Sequence, residues 1–200
     1  MNRTNSTPYM RRPFPPPGSR ALSTLHAGGL VLLPTANLWQ LAAHAGNPAA
    51  VRRALTCCPP AALNRPELVF ADAAALRAWF PLIHPRLDIL LDYHRRPLTM
   101  LVPASPRVPL ALIDGRGEVA VRLAQDSYVY RLCEDLEGPL LCTLALPAGA
   151  RELPTRFGQV RSDVLRCADH IVQRRQREVL GDKTTVVIRY NEQTGEVEFP

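Results

Sequence analysis

Residues 28–39, Gly-Gly-Leu-Val-Leu-Leu-Pro-Thr-Ala-Asn-Leu-Trp, decide the fold of this chain. Their apolar run, Leu30–Leu33, lacks polar alternation, which is typical of a strand buried on both faces. The preceding glycine pair predicts the end of a helix, because glycine adopts the left-handed conformation that stops helices. Pro34 and Thr35 predict a turn directly after the strand.

Helices and strands alternate along the rest of the chain. Asn47, Asp72 and Asp126 are predicted helix caps, because their side chains accept hydrogen bonds from the first free backbone N–H groups. The predicted helices are 19–27, 47–55, 72–79, 85–93, 126–136 and 157–167, and the predicted strands are 30–33, 67–70, 98–102, 118–123, 140–146, 170–173, 184–190 and 196–199. This order predicts an α/β fold with a mixed sheet.

The composition predicts one globular domain after a short tail. The chain has 200 residues and a hydrophobic content of 46%, which is typical of a single domain with its own core. Residues 1–18 are rich in proline and predict a disordered tail, and residues 19–200 are expected to form the domain. No apolar run reaches the roughly 18–20 residues that span a bilayer, and the tail has no secretory h-region, so a cytoplasmic location is expected.

The cysteines and histidines give no metal-binding pattern. The cysteines are odd in number and irregularly spaced, without a CxxC pair. The histidines have no HExxH spacing, and metal binding is not expected. Reduced, mostly buried thiols are the predicted state of all five cysteines, because the expected compartment is reducing. These are Cys57, Cys58, Cys133, Cys142 and Cys167.

The chain is basic, with a formal net charge of +6 from 24 basic and 18 acidic residues. Arginine supplies almost all of the positive charge, and Lys183 is the only lysine. Arginine forks suit phosphate and carboxylate groups, so nucleotide or RNA binding is permitted, although a solvated basic surface explains the same charge. No Walker loop, GxGxxG or GxSxG motif is present.

Five segments together resemble the YrdC/YwlC family, the threonylcarbamoyl-AMP synthases. In chain order they are residues 29–35, 96–102, 118–122, 138–143 and 183–187. Each is weakly specific alone, whereas their order and spacing are specific. The resemblance covers nearly the whole domain and implies a single domain built on an open, twisted mixed sheet flanked by helices.

The resemblance also implies an activity and a site. The family joins threonine, bicarbonate and ATP into threonylcarbamoyl-adenylate and releases pyrophosphate, as a step of tRNA modification, with ATP and Mg²⁺ required for activity. Such chemistry depends on cations and dipoles positioned around a triphosphate. The substrate- and nucleotide-binding residues that the resemblance implies here are Thr35, Trp39, Thr99, Arg122, Thr143 and one or both of Arg174 and Arg175.

Several family positions have lost their polar groups in this sequence. The family's Lys-x-Arg falls on Cys58 and Pro60, and its Ser-Ala-Asn becomes residues 144–146, Leu-Ala-Leu. Ala36 replaces an acidic or polar residue, and Gln40 replaces a glycine. Since one lost oxyanion donor costs about 2.7–4 kcal/mol of barrier, these losses predict weak or absent synthase activity.

Three hypotheses therefore stand. The favoured one is a divergent member that binds a ligand or RNA with little synthase activity. The second is an active synthase in which other arginines replace the lost cations. The third is a module that binds double-stranded RNA or a protein partner. The candidate replacement cations are Arg52, Arg53, Arg65 and Arg96.

Each candidate site residue also has an ordinary structural interpretation. Arg122 can pair with a carboxylate inside the protein, and Thr35 can serve only the turn. Thr99 and Thr143 suit strands by propensity alone. Trp39 suits a core or a pocket wall. The Arg174–Arg177 segment suits a solvated surface.

Overall fold

A computed structural model of the chain describes residues 19–93, 97–181 and 185–200. The predicted tail, together with Arg96, Lys183 and Thr184, lies outside the described residues. Within them the predicted α/β architecture is confirmed, with a mixed sheet flanked by helices. No helix in these ranges is long and apolar enough to cross a membrane.

The elements follow the predicted order closely. The helices are α1 (Ser19–His26), α2 (Pro48–Cys57), α3 (Ala73–Trp79), α4 (Pro85–Tyr93), α5 (Ser127–Asp135) and α6 (Ser162–Cys167), with short 3₁₀ turns at Leu110–Leu112 and Phe157–Gln159. The strands are β1 (Val31–Pro34), β2 (Trp39–His44), β3 (Glu67–Phe70), β4 (Leu98–Pro103), β5 (Glu118–Leu123), β6 (Leu140–Leu144), β7 (His170–Ile171), β8 (Val186–Asn191) and β9 (Glu196–Glu198).

The strands form one mixed sheet in the order β7-β1-β2-β6-β3-β5-β4-β8-β9. Three neighbouring pairs are parallel, namely β1–β7, β3–β5 and β4–β8, and the other five are antiparallel. The turn predicted at Pro34 and Thr35 joins β1 to β2, with Pro34 in register with Trp39.

The predicted helix starts are confirmed by their hydrogen bonds. Asn47 Oδ1 accepts from the backbone N–H groups of two α2 residues at 3.1 Å. Asp72 caps α3 at 2.8 Å, and Asp126 caps α5 at 2.9 Å. Gly28 has a φ of +77°, the left-handed conformation expected where α1 ends.

Three elements differ from the sequence prediction. Strand β2 was not predicted, because its sequence, Trp-Gln-Leu-Ala-Ala-His, lacks β-branched residues; its pairing with β1 and β6 on both sides fixes it as a strand. The predicted helix 157–167 is broken, because Val160 and Arg161 have extended ψ angles of 117° and 153°. Strand β6 also ends at Leu144, two residues earlier than predicted.

The helices cover the two faces of the sheet unequally. Helices α1 and α5 pack on one face over strands that include β1, β2, β3 and β6. Helices α2 and α6, with the residues around α3 and α4, pack on the other face. Side chains alternate along a strand, so Met100 and Val121 face the α3/α4 side while Thr99 and Arg122 face the α1/α5 side. That side is the one on which the candidate site lies.

The prediction that all five cysteines are reduced is wrong. Cys57 and Cys167 form a disulfide, with a Cα–Cα distance of 6.4 Å. They are the last residues of α2 and α6, and these two helices pack side by side. The packing brings together two residues separated by 110 positions, which no local spacing reveals. Cys58, Cys133 and Cys142 are free and buried, as predicted.

Removing the disulfide should destabilise the fold without changing it. We expect the double variant C57S/C167S to lose about 2–4 kcal/mol of unfolding free energy, because the bond limits the conformations of a long loop in the unfolded chain. Urea unfolding followed by circular dichroism measures this loss.

The matched control is reduction of the native protein. Dithiothreitol should destabilise the wild type by a similar amount and leave the double variant unchanged. The free thiols should not react with Ellman's reagent at pH 8 in the folded state, because burial raises the pKa of Cys58 and Cys133 to about 12 and that of Cys142 still further. Reaction of two extra thiols in untreated native protein would contradict the disulfide.

Candidate functional site

A cleft of about 210 Å³ opens on the sheet face that carries Arg122. It lies between the end of the β1–β2 hairpin, the loop that precedes β3, and the start of β8. Its lining residues are Asn37, Leu38, Gln40, Ala62, Leu63, Arg65, Glu67, Leu144, Thr185, Val187 and Pro200. A second cavity of about 270 Å³ adjoins it and shares Arg65.

A buried ion pair lies at the base of this cleft. Arg122 Nε on β5 is 2.7 Å from Glu67 Oε2 on β3, and the two side chains are 2% and 8% exposed. The Nε–H bond does not point along this line, so the contact is an ion pair without hydrogen-bond geometry. Arg122 Nη2 donates to Gln40 Oε1 at 2.8 Å. The guanidinium is therefore bound by protein groups on two sides.

The other carboxylate oxygen of the pair is held by two hydroxyls. Thr99 Oγ1 donates to Glu67 Oε1 at 2.5 Å, and Thr185 Oγ1 donates to the same oxygen at 3.1 Å. The two hydroxyl oxygens lie 2.7 Å apart. Thr99 is completely buried. Its hydroxyl thus stabilises the Glu67 carboxylate in this structure and does not point into the cleft as a ligand-binding group.

Thr35 and Trp39 belong to the β1–β2 hairpin at one end of the cleft, and the Trp39 side chain packs on the opposite, α2/α6 face of the sheet. Thr35 Oγ1 donates to Leu38 O at 2.8 Å, which closes the turn between β1 and β2. Trp39 is completely buried and packs against Phe157 with ring centroids 5.0 Å apart. Its Nε1–H has no hydrogen-bond partner within the described residues. Neither side chain lines the cleft, although their neighbours Asn37 and Leu38 do.

Thr143 fixes the loop that forms one wall of the cleft. Its hydroxyl contacts Cys58 O at 3.1 Å and Asn64 Oδ1 at 2.9 Å. Asn64 is 2% exposed, donates to Cys58 O and Pro59 O, and accepts from the Leu144 backbone N–H at 2.9 Å. Asn64 therefore holds the start of the loop against β6.

Arg174 and Arg175 lie beyond the hairpin and are paired with acidic groups. Arg174 Nη1 is 3.4 Å from Asp126 Oδ1, and its guanidinium stacks over Tyr128 at 4.9 Å. Arg175 Nε is 2.7 Å from Glu178 Oε2. Arg175 Nη1 also donates to Thr35 O at 2.9 Å, which ties this segment to the turn.

Three of the four candidate replacement cations have a described position. Of these three, only Arg65 lines the cleft. Its guanidinium is exposed and has no ion pair or hydrogen bond with the described residues. Arg53 instead pairs with Asp169 at 3.0 Å, on the α2 side. Arg52 is exposed on α2 and does not line the cleft, and Arg96 lies outside the described ranges.

The positions that lost polar groups add no charge to the cleft. Leu144 lines it, and Leu144 and Leu146 form a small apolar cluster with Leu38. Cys58 is completely buried. Of the lining residues that the structure describes, Glu67 alone has an acidic side chain, and both of its oxygens are engaged. Among the described residues, no group of three or more histidine, cysteine, aspartate or glutamate side chains is placed to hold a metal ion.

Comparison with known proteins gives the family of the chain. The Sua5/YciO/YrdC family model, described as "Telomere recombination", matches residues 23–197. Threonylcarbamoyl-AMP synthase of Stenotrophomonas maltophilia is 33% identical over 144 residues, covering 68% of this chain and 74% of the relative. That of Chromobacterium violaceum is 31% identical over 156 residues, covering 76% and 80%.

Solved structures agree with this assignment. P. abyssi Sua5 in complex with L-threonine superposes with a TM-score of 0.71 at 25% identity, covering 85% of this chain and 49% of that protein. The chain thus spans about half the length of that protein. E. coli YciO superposes with a TM-score of 0.75 at 19% identity, covering 89% and 85%. The chain belongs to the Sua5/YciO/YrdC family.

Sequence reasoning did not single out three polar residues of the cleft and its wall. Glu67 and Asn64 are buried polar residues, and Thr185 completes the contacts of the carboxylate. One signal was available for Glu67. A charged residue at the start of a buried apolar strand requires a partner of opposite charge, and Arg122 occupies a second apolar strand.

Removal of the Asn64 amide should loosen the cleft wall. We expect N64A to lose at least about 2 kcal/mol of unfolding free energy, because buried backbone and hydroxyl groups of the loop and β6 lose their partner. Denaturant unfolding measures the loss. The control T143V removes one hydroxyl and should cost about 1 kcal/mol. A loss in N64A no larger than in T143V would contradict this role.

Proposed function

We propose that this chain is a divergent member of its family that binds a small polar ligand in the cleft and has little or no threonylcarbamoyl-AMP synthase activity. The observation that carries this proposal is the state of Arg122. The guanidinium that the resemblance assigns to a ligand carboxylate or phosphate is paired with Glu67 and Gln40.

The charge of the cleft supports weak synthase activity. A triphosphate requires several cations positioned around it. The described lining has one uncommitted cation, Arg65, while the Lys-x-Arg positions hold Cys58 and Pro60. One exposed arginine compensates only part of a triphosphate's charge. Turnover is therefore expected to be weak or absent.

The size of the cleft supports a small ligand. Its volume of about 210 Å³ gives room for a small molecule, and the adjoining cavity of about 270 Å³ shares Arg65 with it. Arg65 offers one cation, and Asn37 and Gln40 add polar groups at the cleft wall. An amino acid such as the L-threonine bound to P. abyssi Sua5 is of suitable size.

The hypotheses of an active synthase and of an RNA-binding module are each supported by fewer observations. The curated relatives are named threonylcarbamoyl-AMP synthases, which favours an active enzyme if Arg65 and Arg96 together replace the lost cations. Double-stranded RNA binding draws on the arginine excess of the chain. Arg174 pairs with Asp126 and Arg175 pairs with Glu178. These arginines would have to leave their carboxylate partners to bind RNA phosphates.

A titration with ATP tests the proposal. We expect no heat of binding with ATP at millimolar concentration in the presence of Mg²⁺, threonine and bicarbonate, and no pyrophosphate release above the rate without protein. The S. maltophilia relative, assayed in parallel, is the positive control. Sustained pyrophosphate release by this chain would overturn the proposal.

Two variants would then identify the replacing cation. If Arg65 acts on the triphosphate, R65Q should lower kcat/KM by tenfold or more, which corresponds to about 1.4 kcal/mol of transition-state stabilisation. R166Q is the matched control, because Arg166 is an exposed arginine on α6 without an ion pair in the described part of the chain.

A further inference from the structure

We propose that Glu67 is a built-in occupant of an anion site formed by Arg122, Thr99 and Thr185, so that the native cleft is closed to free carboxylates at Arg122. The inference concerns the same cleft as the proposed function, but it rests on the contacts of Glu67 and not on the loss of synthase activity.

The contacts of Glu67 are those of a bound carboxylate ligand. One oxygen meets the guanidinium of Arg122 at 2.7 Å, and the other accepts from the hydroxyls of Thr99 and Thr185 at 2.5 and 3.1 Å. A guanidinium and two hydroxyls are groups with which proteins recognise carboxylates. They come from β5, β4 and the segment before β8, so three separate parts of the chain converge on one carboxylate.

The position of Glu67 distinguishes this arrangement from an ion pair enclosed in a core. Glu67 lines the cleft, although its side chain is only 8% exposed. Truncation of the side chain would therefore leave a space that a small molecule can reach from the cleft. The space would keep Arg122 and both hydroxyls at its inner end.

This occupancy sets the class of ligand that the cleft accepts. A molecule with a carboxylate would meet a like charge at Glu67 if it approached Arg122. Among the described lining residues, Arg65 is the cation without an ion pair or hydrogen bond, and it is where the anionic group would bind. Glu67 thus excludes anions from the inner end of the cleft and leaves Arg65 at the rim for them.

Acetate rescue of E67A tests the proposal. The substitution removes one methylene and the carboxylate, and acetate supplies the same groups as a free molecule. At ten times its Kd, acetate should raise the melting temperature of E67A by about 3 °C or more, because it binds the folded state only. Sodium chloride at equal ionic strength and neutral acetamide should have no such effect.

Two proteins serve as controls for acetate. The wild type should respond much less than E67A, because Glu67 occupies the inner site and only the exposed Arg65 at the rim remains for acetate. E178A should respond no more than the wild type does. It breaks the pair between Arg175 and Glu178, which has the same 2.7 Å distance, but the Glu178 side chain is 55% exposed and its removal leaves no buried site. A response of the wild type equal to that of E67A would overturn the proposal, as would a folded E67A without any response to acetate.

E67Q keeps the proposal testable if E67A does not fold. Glutamine retains the size of the side chain but cannot neutralise Arg122, so acetate should displace its amide and give a smaller rise in melting temperature. The proposal would be overturned if E67A stayed insoluble in the presence of acetate and acetate did not change the melting temperature of E67Q. None of these outcomes depends on pyrophosphate release, so this test and that of the proposed function can fail separately.

Discussion

The ion pair between Arg122 and Glu67 is the constraint on which the centre of this molecule depends. Both charges are withdrawn from water, and a buried charge is tolerated only with a partner and hydrogen bonds. Gln40, Thr99 and Thr185 supply those bonds. The network ties strands β2, β3, β4 and β5 to the segment before β8, and it restricts how these strands can shift relative to one another.

The fold could be predicted because its signals are local. The apolar run Leu30–Leu33 and the caps Asn47, Asp72 and Asp126 each act within a few residues, and the structure retains all of them. Strand β2 was missed because its alanines give no strand preference of their own. It exists because β1 and β6 offer hydrogen bonds on both sides.

The site could be predicted only in part because its contacts are not local. Arg122 and Thr99 were recognised as polar residues on strands, and the structure brings both to Glu67. The sequence signals that a charge on a buried strand needs a partner, but only the strand order shows which residue that is. Glu67 precedes Arg122 by 55 positions and pairs with it because β3 lies beside β5. The same limit explains why the disulfide was not predicted.

The disulfide between Cys57 and Cys167 also determines which parts of the chain bear a pulling force. It closes a covalent ring that contains β3, β4, β5 and β6, which are the four adjacent central strands of the sheet. The outer strands β7, β1 and β2 on one side and β8 and β9 on the other belong to the two open ends of the chain. A force that pulls on those ends passes through the sulfur atoms, so it peels away the flanking strands while the ring carries no load. Unfolding under tension is therefore expected to stop at a partly folded central sheet until the bond is reduced.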